Sequence, residues 1–171
     1  MSEKDVIINR VANSPLITFD LEEFYHPGER VLIDIGDQLY QGLILKEKDF
    51  RAWVRDMDWS IYENQNVAIW CSADAIIPTW AYMLVATRIS PYAHMVVFGT
   101  LEDLEKALYQ NALSSMNIEK FRDKKIVIKG CGKYQVPDSA YVEITRLLTP
   151  VASSIMYGEA CSTVPLYKRP K

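Results

Sequence analysis

The chain is short of histidine and cysteine, with two and three respectively, and it has no basic block apart from Lys168, Arg169 and Lys171 at its end. Each shortage removes a class of function. Lysine and arginine number 19 against 22 aspartates and glutamates, a net charge of −3. With no basic stripe to follow a polyanionic backbone, nucleic acid is not expected as a partner. The longest apolar stretch, Ala75 to Ala86, is too short to span a bilayer and carries Pro78, so no membrane span is expected. Met1-Ser2-Glu3-Lys4-Asp5 has no apolar core behind its charges, unlike a secretory leader. An odd number of widely spaced cysteines makes no disulfide framework and suits a reducing compartment, so a cytoplasmic location is expected. Neither Cys-x-x-Cys nor His-x-x-x-His occurs, and the usual metal-ligand spacings are therefore lacking.

What remains is 171 residues, 49% hydrophobic and 24% charged, enough for one core or two intimately packed halves; a single domain over 1–171 is the expectation. Residues 1–19 read as an arm ending in the β-type run Leu16-Ile17-Thr18-Phe19. Asp20-Leu21-Glu22-Glu23 is a capping-box pattern that predicts a short helix to about Tyr25, stopped by Pro27-Gly28 with His26 on the turn, facing solvent. Arg30 to Ile35 reads as a strand, and Leu39 to Leu45 fits a strand or a turn of helix equally. Phe50, Trp53, Val54 and Met57 give one apolar face to a helix opened by Lys46-Glu47-Lys48-Asp49.

From there the chain repeats. Residues 50–99 align without a gap on 109–158, superposing Met57 on Met116, Ile69 on Ile128, Pro78 on Pro137, Ala81-Tyr82 on Ala140-Tyr141, Pro91 on Pro150, Ala93 on Ala152 and Gly99 on Gly158. Prolines and glycines punctuate backbone geometry, so their register argues for an internal duplication. Each copy reads helix, strand (Val67 to Cys71; Ile126 to Gly130), loop, helix with proline in its first turn, strand (His94 to Gly99; Ser153 to Gly158). The fold class expected is α/β (or α+β): two duplicated βαβ units sharing a mixed sheet, with an N-terminal α+β extension over 1–49. Thr100 to Asp103 caps the connecting helix.

The two crossover helices differ. Ser139, Glu143 and Arg146 form an outer face in the second, where the first has Trp80, Leu84 and Thr87. Trp80 and Leu84 therefore call for a cover, supplied by residues 1–49 or by a second copy through self-association.

Chemistry is expected where open α/β sheets hold ligands, beyond the carboxyl ends of strands. Lys129-Gly130-Cys131-Gly132-Lys133 stands at such a place, the glycines leaving the thiol unobstructed and the lysines favouring the thiolate. Cys71 also ends a strand and Cys161 follows Gly158, so the three thiols are expected at one sheet edge, with Asp74 or Glu159 able to complete a four-ligand metal site. Against this, cysteine is a commonly buried residue, and Gly-Cys-Gly can mark close backbone packing. His94 begins a strand, about five residues or 16 Å from the thiol edge, which disfavours a Cys-His dyad. Gly-x-Gly without a third glycine or a Lys-Ser/Thr pair makes a poor phosphate loop.

Lys129-Gly130-Cys131, Pro137 with Ala140-Tyr141, the ending Ser154 to Lys168, Ile44 to Arg51 and Cys71 to Tyr82 together resemble the bacterial family catalogued as domain of unknown function 2480, over Asp20 to Lys168. The family is uncharacterised; the resemblance implies an association with iron–sulfur assembly of the sulfur-mobilisation type. Besides a small-molecule enzyme using the loops at the strand ends, two functions follow as expectations. One is an accessory protein in iron–sulfur or sulfur handling, with Cys131, Cys161 and Cys71 holding a metal, cluster or persulfide. The other is a non-catalytic interaction module with inert cysteines, presenting the Trp80 face or the Cys161 to Tyr167 tail.

Overall fold

The computed structural model describes residues 16–130, 132–159 and 161–170. The chain divides into two compact units. One comprises the residues through Tyr25 and those from Gln110 onward; the other, His26–Tyr109, is inserted into it in sequence.

Strand β1 (Leu16–Asp20) opens the first unit and runs into a 3-10 turn, Leu21–Phe24, capped by the Asp20 carboxylate accepting the Glu22 N–H at 3.0 Å. The pattern that predicts a helix thus yields one tight turn, because Pro27 forces the residue before it out of helical geometry. The inserted unit repeats the device. Strand β2 (Arg30–Asp34) ends in a 3-10 turn, Ile35–Gln38, with Asp34 accepting the Gly36 N–H at 2.8 Å. Leu39 to Leu45 is a turn closed by a Tyr40–Ile44 bridge, with Gln41 and Gly42 at φ 54° and 70°. Helix α1 (Glu47–Asp56), strand β3 (Asn66–Trp70), helix α2 (Thr79–Ile89) and strand β4 (Met95–Phe98) complete the unit. Helix α3 (Leu101–Ser114) begins with a reciprocal cap, Thr100 N–H to Asp103 and Asp103 N–H to the Thr100 hydroxyl. Strand β5 (Lys125–Lys129), helix α4 (Asp138–Leu148), strand β6 (Ser154–Glu159) and strand β7 (Ser162–Lys168) return the chain to the first unit.

Elements recur at the spacing of the sequence repeat: β3 with β5, α2 with α4, the 3-10 turns Trp59–Tyr62 and Ile118–Phe121, and left-handed Asn64 and Asp123, both at φ 60°. Pro78 and Pro137 stand at the helix caps, one residue before the predicted first-turn position.

The single shared sheet expected from the repeat is not what forms. There are two sheets, β2-β3-β4 and β1-β5-β6-β7. The physical reason lies in the segment grouped as an N-terminal extension, which supplies each unit with a third strand. β2 pairs parallel with β3, and β1 pairs parallel with β5. The first sheet is wholly parallel; the second is mixed, because β7 runs antiparallel to β6.

In the inserted unit, Ile33, Val67 and Ile69 of the sheet are buried with Phe50 and Val54 of α1, Trp59, and Ala81, Val85 and Ile89 of α2. Leu104 and Leu108 of α3 cover the other face, over Ala68, Met95 and Val97. Each fully buried aliphatic side chain contributes about 1.5–3 kcal/mol. Trp80 and Leu84 are half-buried against the same core. Helix α1 meets Trp80: Phe50 lies edge-on to its ring at 5.8 Å and the Arg51 guanidinium lies over it at 5.0 Å, while Ile33, Ile35 and Leu39 of residues 1–49 belong to the same core. In the other unit Ala140, Ile144 and Leu148 of α4, Ile126 to Ile128 of β5 and Ile155 of β6 are buried. No helix among the described residues is long and apolar enough to cross a membrane.

Candidate functional site

Three places carry unusual side-chain chemistry. The first is the carboxyl end of β5, where the sequence places the thiol loop. Cys131 itself lies outside the described residues. Its neighbours frame a cavity of about 430 Å³, lined by Gly130, Gly132, Lys133, Tyr134, Tyr141 and Tyr157 among others. Gly130 is required by packing, since a Cβ there would fall 2.8 Å from the Tyr141 hydroxyl and 3.0 Å from Leu21 Cβ. The Glu22 carboxylate accepts the successive N–H groups of Gly132 and Lys133, the latter at 2.9 Å, so an acidic side chain from the 3-10 turn after β1 fills the amide concavity of the loop. Lys129 is paired with Asp20 at 3.0 Å. Its ammonium pKa is raised, chiefly by that hydrogen bond. Lys133 lies over the Tyr134 ring, 4.9 Å from its centre, and its pKa is raised first by a hydrogen bond with the Tyr134 side chain. Tyr134 in turn stacks on Tyr25 at 3.8 Å. Both lysines expected to activate a thiol therefore have other partners.

The remaining thiol candidates divide between the units. Cys161 is exposed in the turn from β6 to β7, next to Glu159 at the end of β6. Cys71 directly follows β3 of the other sheet, is 8% exposed, and donates its S–H to the Ala73 carbonyl at 3.8 Å. No single sheet edge holds all three, because the chain builds two sheets. Asp74 is exposed beyond Cys71. The carboxylate organising that strand end is Asp34, which accepts Gly36 N–H at 2.8 Å and Ser72 N–H at 3.0 Å. Burial pushes the Asp34 pKa up, but hydrogen bonds from the Ser72 side chain and from the Ser72 and Gly36 backbones outweigh it and leave the pKa below the ordinary value. Among the described residues no three His, Cys, Asp or Glu side chains are grouped as a metal ion would need.

The second place is the opposite edge of the parallel sheet, where sequence reading leaves His26 facing solvent and His94 purely structural. The two rings stack at 4.1 Å. Nδ1 of His26 accepts Gly28 N–H at 3.2 Å and lies 3.1 Å from Nδ2 of Asn66, which is fully buried, so the neutral ring carries its proton on Nε2. Burial, then the charges of His94 and Arg30, lower the His26 pKa against the opposing pull of Glu105. Arg30 and Glu105 form a two-pronged ion pair at 2.9 and 3.0 Å. The only sequence signal for this pair was that the chain's two histidines flank the first and last strands of one sheet.

The third place is the outer edge of β4, which no strand among the described residues covers. A groove of about 480 Å³ runs between this edge and α2, lined by Ile69, Thr79, Tyr82, Met83, Val97 and Phe98 among others, with no charged side chain. Phe98 packs edge-on to Tyr82 at 4.9 Å and lies 5.3 Å from Trp70. Even so, Phe98 is 61% and Met83 63% exposed. In the other unit the equivalent edge, that of β6, is covered by β7. Sequence reading placed the outward apolar residues of α2 at Trp80 and Leu84 and missed Met83 and Phe98.

A family model described as protein of unknown function (DUF2480) matches residues 5–169, and the chain belongs to that family. Comparison with curated proteins and with solved structures gave no match.

Proposed function

We propose that this member of the family is a non-catalytic interaction protein whose docking surface is the groove along β4. The observation that carries this is an uncharged, aromatic-lined groove beside an open strand edge, with Met83 and Phe98 projecting into solvent. Soluble folds blunt their edges with charge, proline or a covering segment, and an uncovered apolar edge marks a place where another chain adds. The test uses an apolar fluorescent dye, bis-anilinonaphthalene sulfonate, titrated at a dilution where the chain has the mass of one copy, 19.6 kDa. Phe98→Lys is expected to weaken dye binding about tenfold. Val142→Lys is the control, on the surface of α4, where Val142 is 69% exposed; it leaves binding unchanged. Equal binding by wild type and Phe98→Lys would end this reading.

A second reading keeps the thiol: an accessory role in sulfur or iron–sulfur handling at Cys131. What supports it is that Gly130 and Gly132, on either side of that cysteine, both line the cavity at the carboxyl end of β5. In a Cys161→Ser background, Cys131 should react with a thiol reagent at neutral pH well before Cys71, and zinc or ferrous iron should slow it. Labelling of Cys131 only after denaturation would make it a packing residue.

A further inference from the structure

We infer that the partner at the β4 edge is a second copy of this chain, the two β4 strands pairing antiparallel about a two-fold axis. The inference rests on the reading of this groove as a docking surface. Three observations carry it. In the other unit, the corresponding strand β6 accepts an antiparallel strand, β7, paired from Ser154–Lys168 to Glu159–Ser162 with one register shift between Ile155 and Met156, so this arrangement of strand and crossover helix takes an antiparallel neighbour. The groove beside β4 has no charged lining residue, so two copies meet there without the like-charge repulsion that the net charge of −3 imposes elsewhere. The edge is also complementary to itself. The His94 N–H bonds to the Gln65 carbonyl, and by strand alternation Met95 and Val97 turn their backbone N–H and C=O groups away from β3. A two-fold axis at Val96 then sets Met95 opposite Val97 of the second copy, and Val97 opposite its Met95, with every outward backbone group paired. It also sets Phe98 opposite His94 of the second copy, covering the most exposed aromatic of the edge. The product is a continuous six-stranded sheet, β2-β3-β4 joined to its copy, and an isologous interface of the kind most homodimers use.

Light-scattering mass of the full chain against concentration is the first measurement. It should rise from 19.6 kDa toward twice that value, and Phe98→Lys should hold it at one copy. In a Cys131→Ser/Cys161→Ser background, Val96→Cys should form an intermolecular disulfide with oxidised glutathione, because directly opposed residues of a non-hydrogen-bonded antiparallel pair bring their Cα atoms to about 4.5 Å, within the span a disulfide bridges. Val142→Cys, on the exposed surface of α4, should not. If Val96→Cys fails to fold, Phe98→Lys decides alone, since that side chain is already exposed. A mass fixed at one copy at every concentration overturns the dimer, as does a dimer that survives Phe98→Lys. If the mass stays at one copy while the dye still binds in a Phe98-dependent way, the second copy is wrong and the docking surface stands. If the dye does not bind either, both fall.

Discussion

The outer edges of β4 and β6 show how two units with the same order of elements diverge. Beyond β6, which ends at Glu159, the chain comes back as β7, whose Val164 faces Tyr157 and whose Thr163 faces Gly158. Beyond β4 it turns at Gly99 and leaves in α3, so Phe98, at the position of Tyr157, keeps its face in solvent. One following element adds a fourth strand beyond β6, whereas no strand among the described residues pairs with the outer edge of β4.

The equivalence of the units breaks first, if anywhere, in their central strands. Ile69 and Ile128 are 3% and 1% exposed at matching places in β3 and β5. Truncation to alanine at either is expected to cost about 3 kcal/mol by urea denaturation; losses differing by more than about half would show that the cores are not alike. The crossover helices should differ instead. Trp80→Ala removes the ring held between Phe50 and Arg51 and should cost about 2 kcal/mol, below the value for a fully buried tryptophan. Exposed Ser139→Ala should change stability by less than about 0.5 kcal/mol.

A smaller contrast lies at the two glycines. Both have positive φ, 133° at Gly99 and 115° at Gly158. A Cβ on Gly158 would meet the Ser162 backbone carbonyl at 2.6 Å, whereas on Gly99 it would meet only side-chain atoms, those of Asp103, at 2.6 Å for Oδ2 and 2.8 Å for Cβ. Gly158→Ala should therefore cost about 2 kcal/mol and Gly99→Ala about 1, read as shifts in the thermal midpoint. The smallest effect is the pH response of His26, for which the β5 unit has no counterpart. Because the folded His26 pKa lies below 6.5, the unfolded chain binds more protons in that window. Stability should be complete above 6.5 and decline as pH falls toward the folded value. Denaturation midpoints of His26→Gln should be flatter between pH 7 and 5; an unchanged slope would remove His26 as the cause.

Much of the framework was legible in the chain. Apolar runs located β3, β5 and β6, the proline register located α2 and α4, and Thr100 with Asp103 announced the cap of α3. What failed was the grouping of strands: Leu16 to Phe19 and Arg30 to Ile35 were visible as β-type runs, yet nothing local says which sheet each joins. The candidate site was legible in part. Gly130 and Gly132 do frame a cavity at the carboxyl end of a strand, but Glu22, more than a hundred residues earlier in the chain, occupies the loop amides, and no spacing rule connects the two. The stacked histidines and the open edge were missed for the same reason, since each is defined by what lies across a strand.

The sequence by itself determined the class and most of the helices and strands, because helix caps, proline and glycine act on backbone torsions within a few residues. Only the tertiary structure decided that β1 completes one sheet and β2 another, that α1 meets Trp80, that His26 finds His94, and that β7 pairs with β6 while no strand among the described residues pairs with the outer edge of β4. Strand pairing joins residues far apart in the chain through backbone groups that every residue shares. Which pairing forms is therefore settled by the packing of whole units.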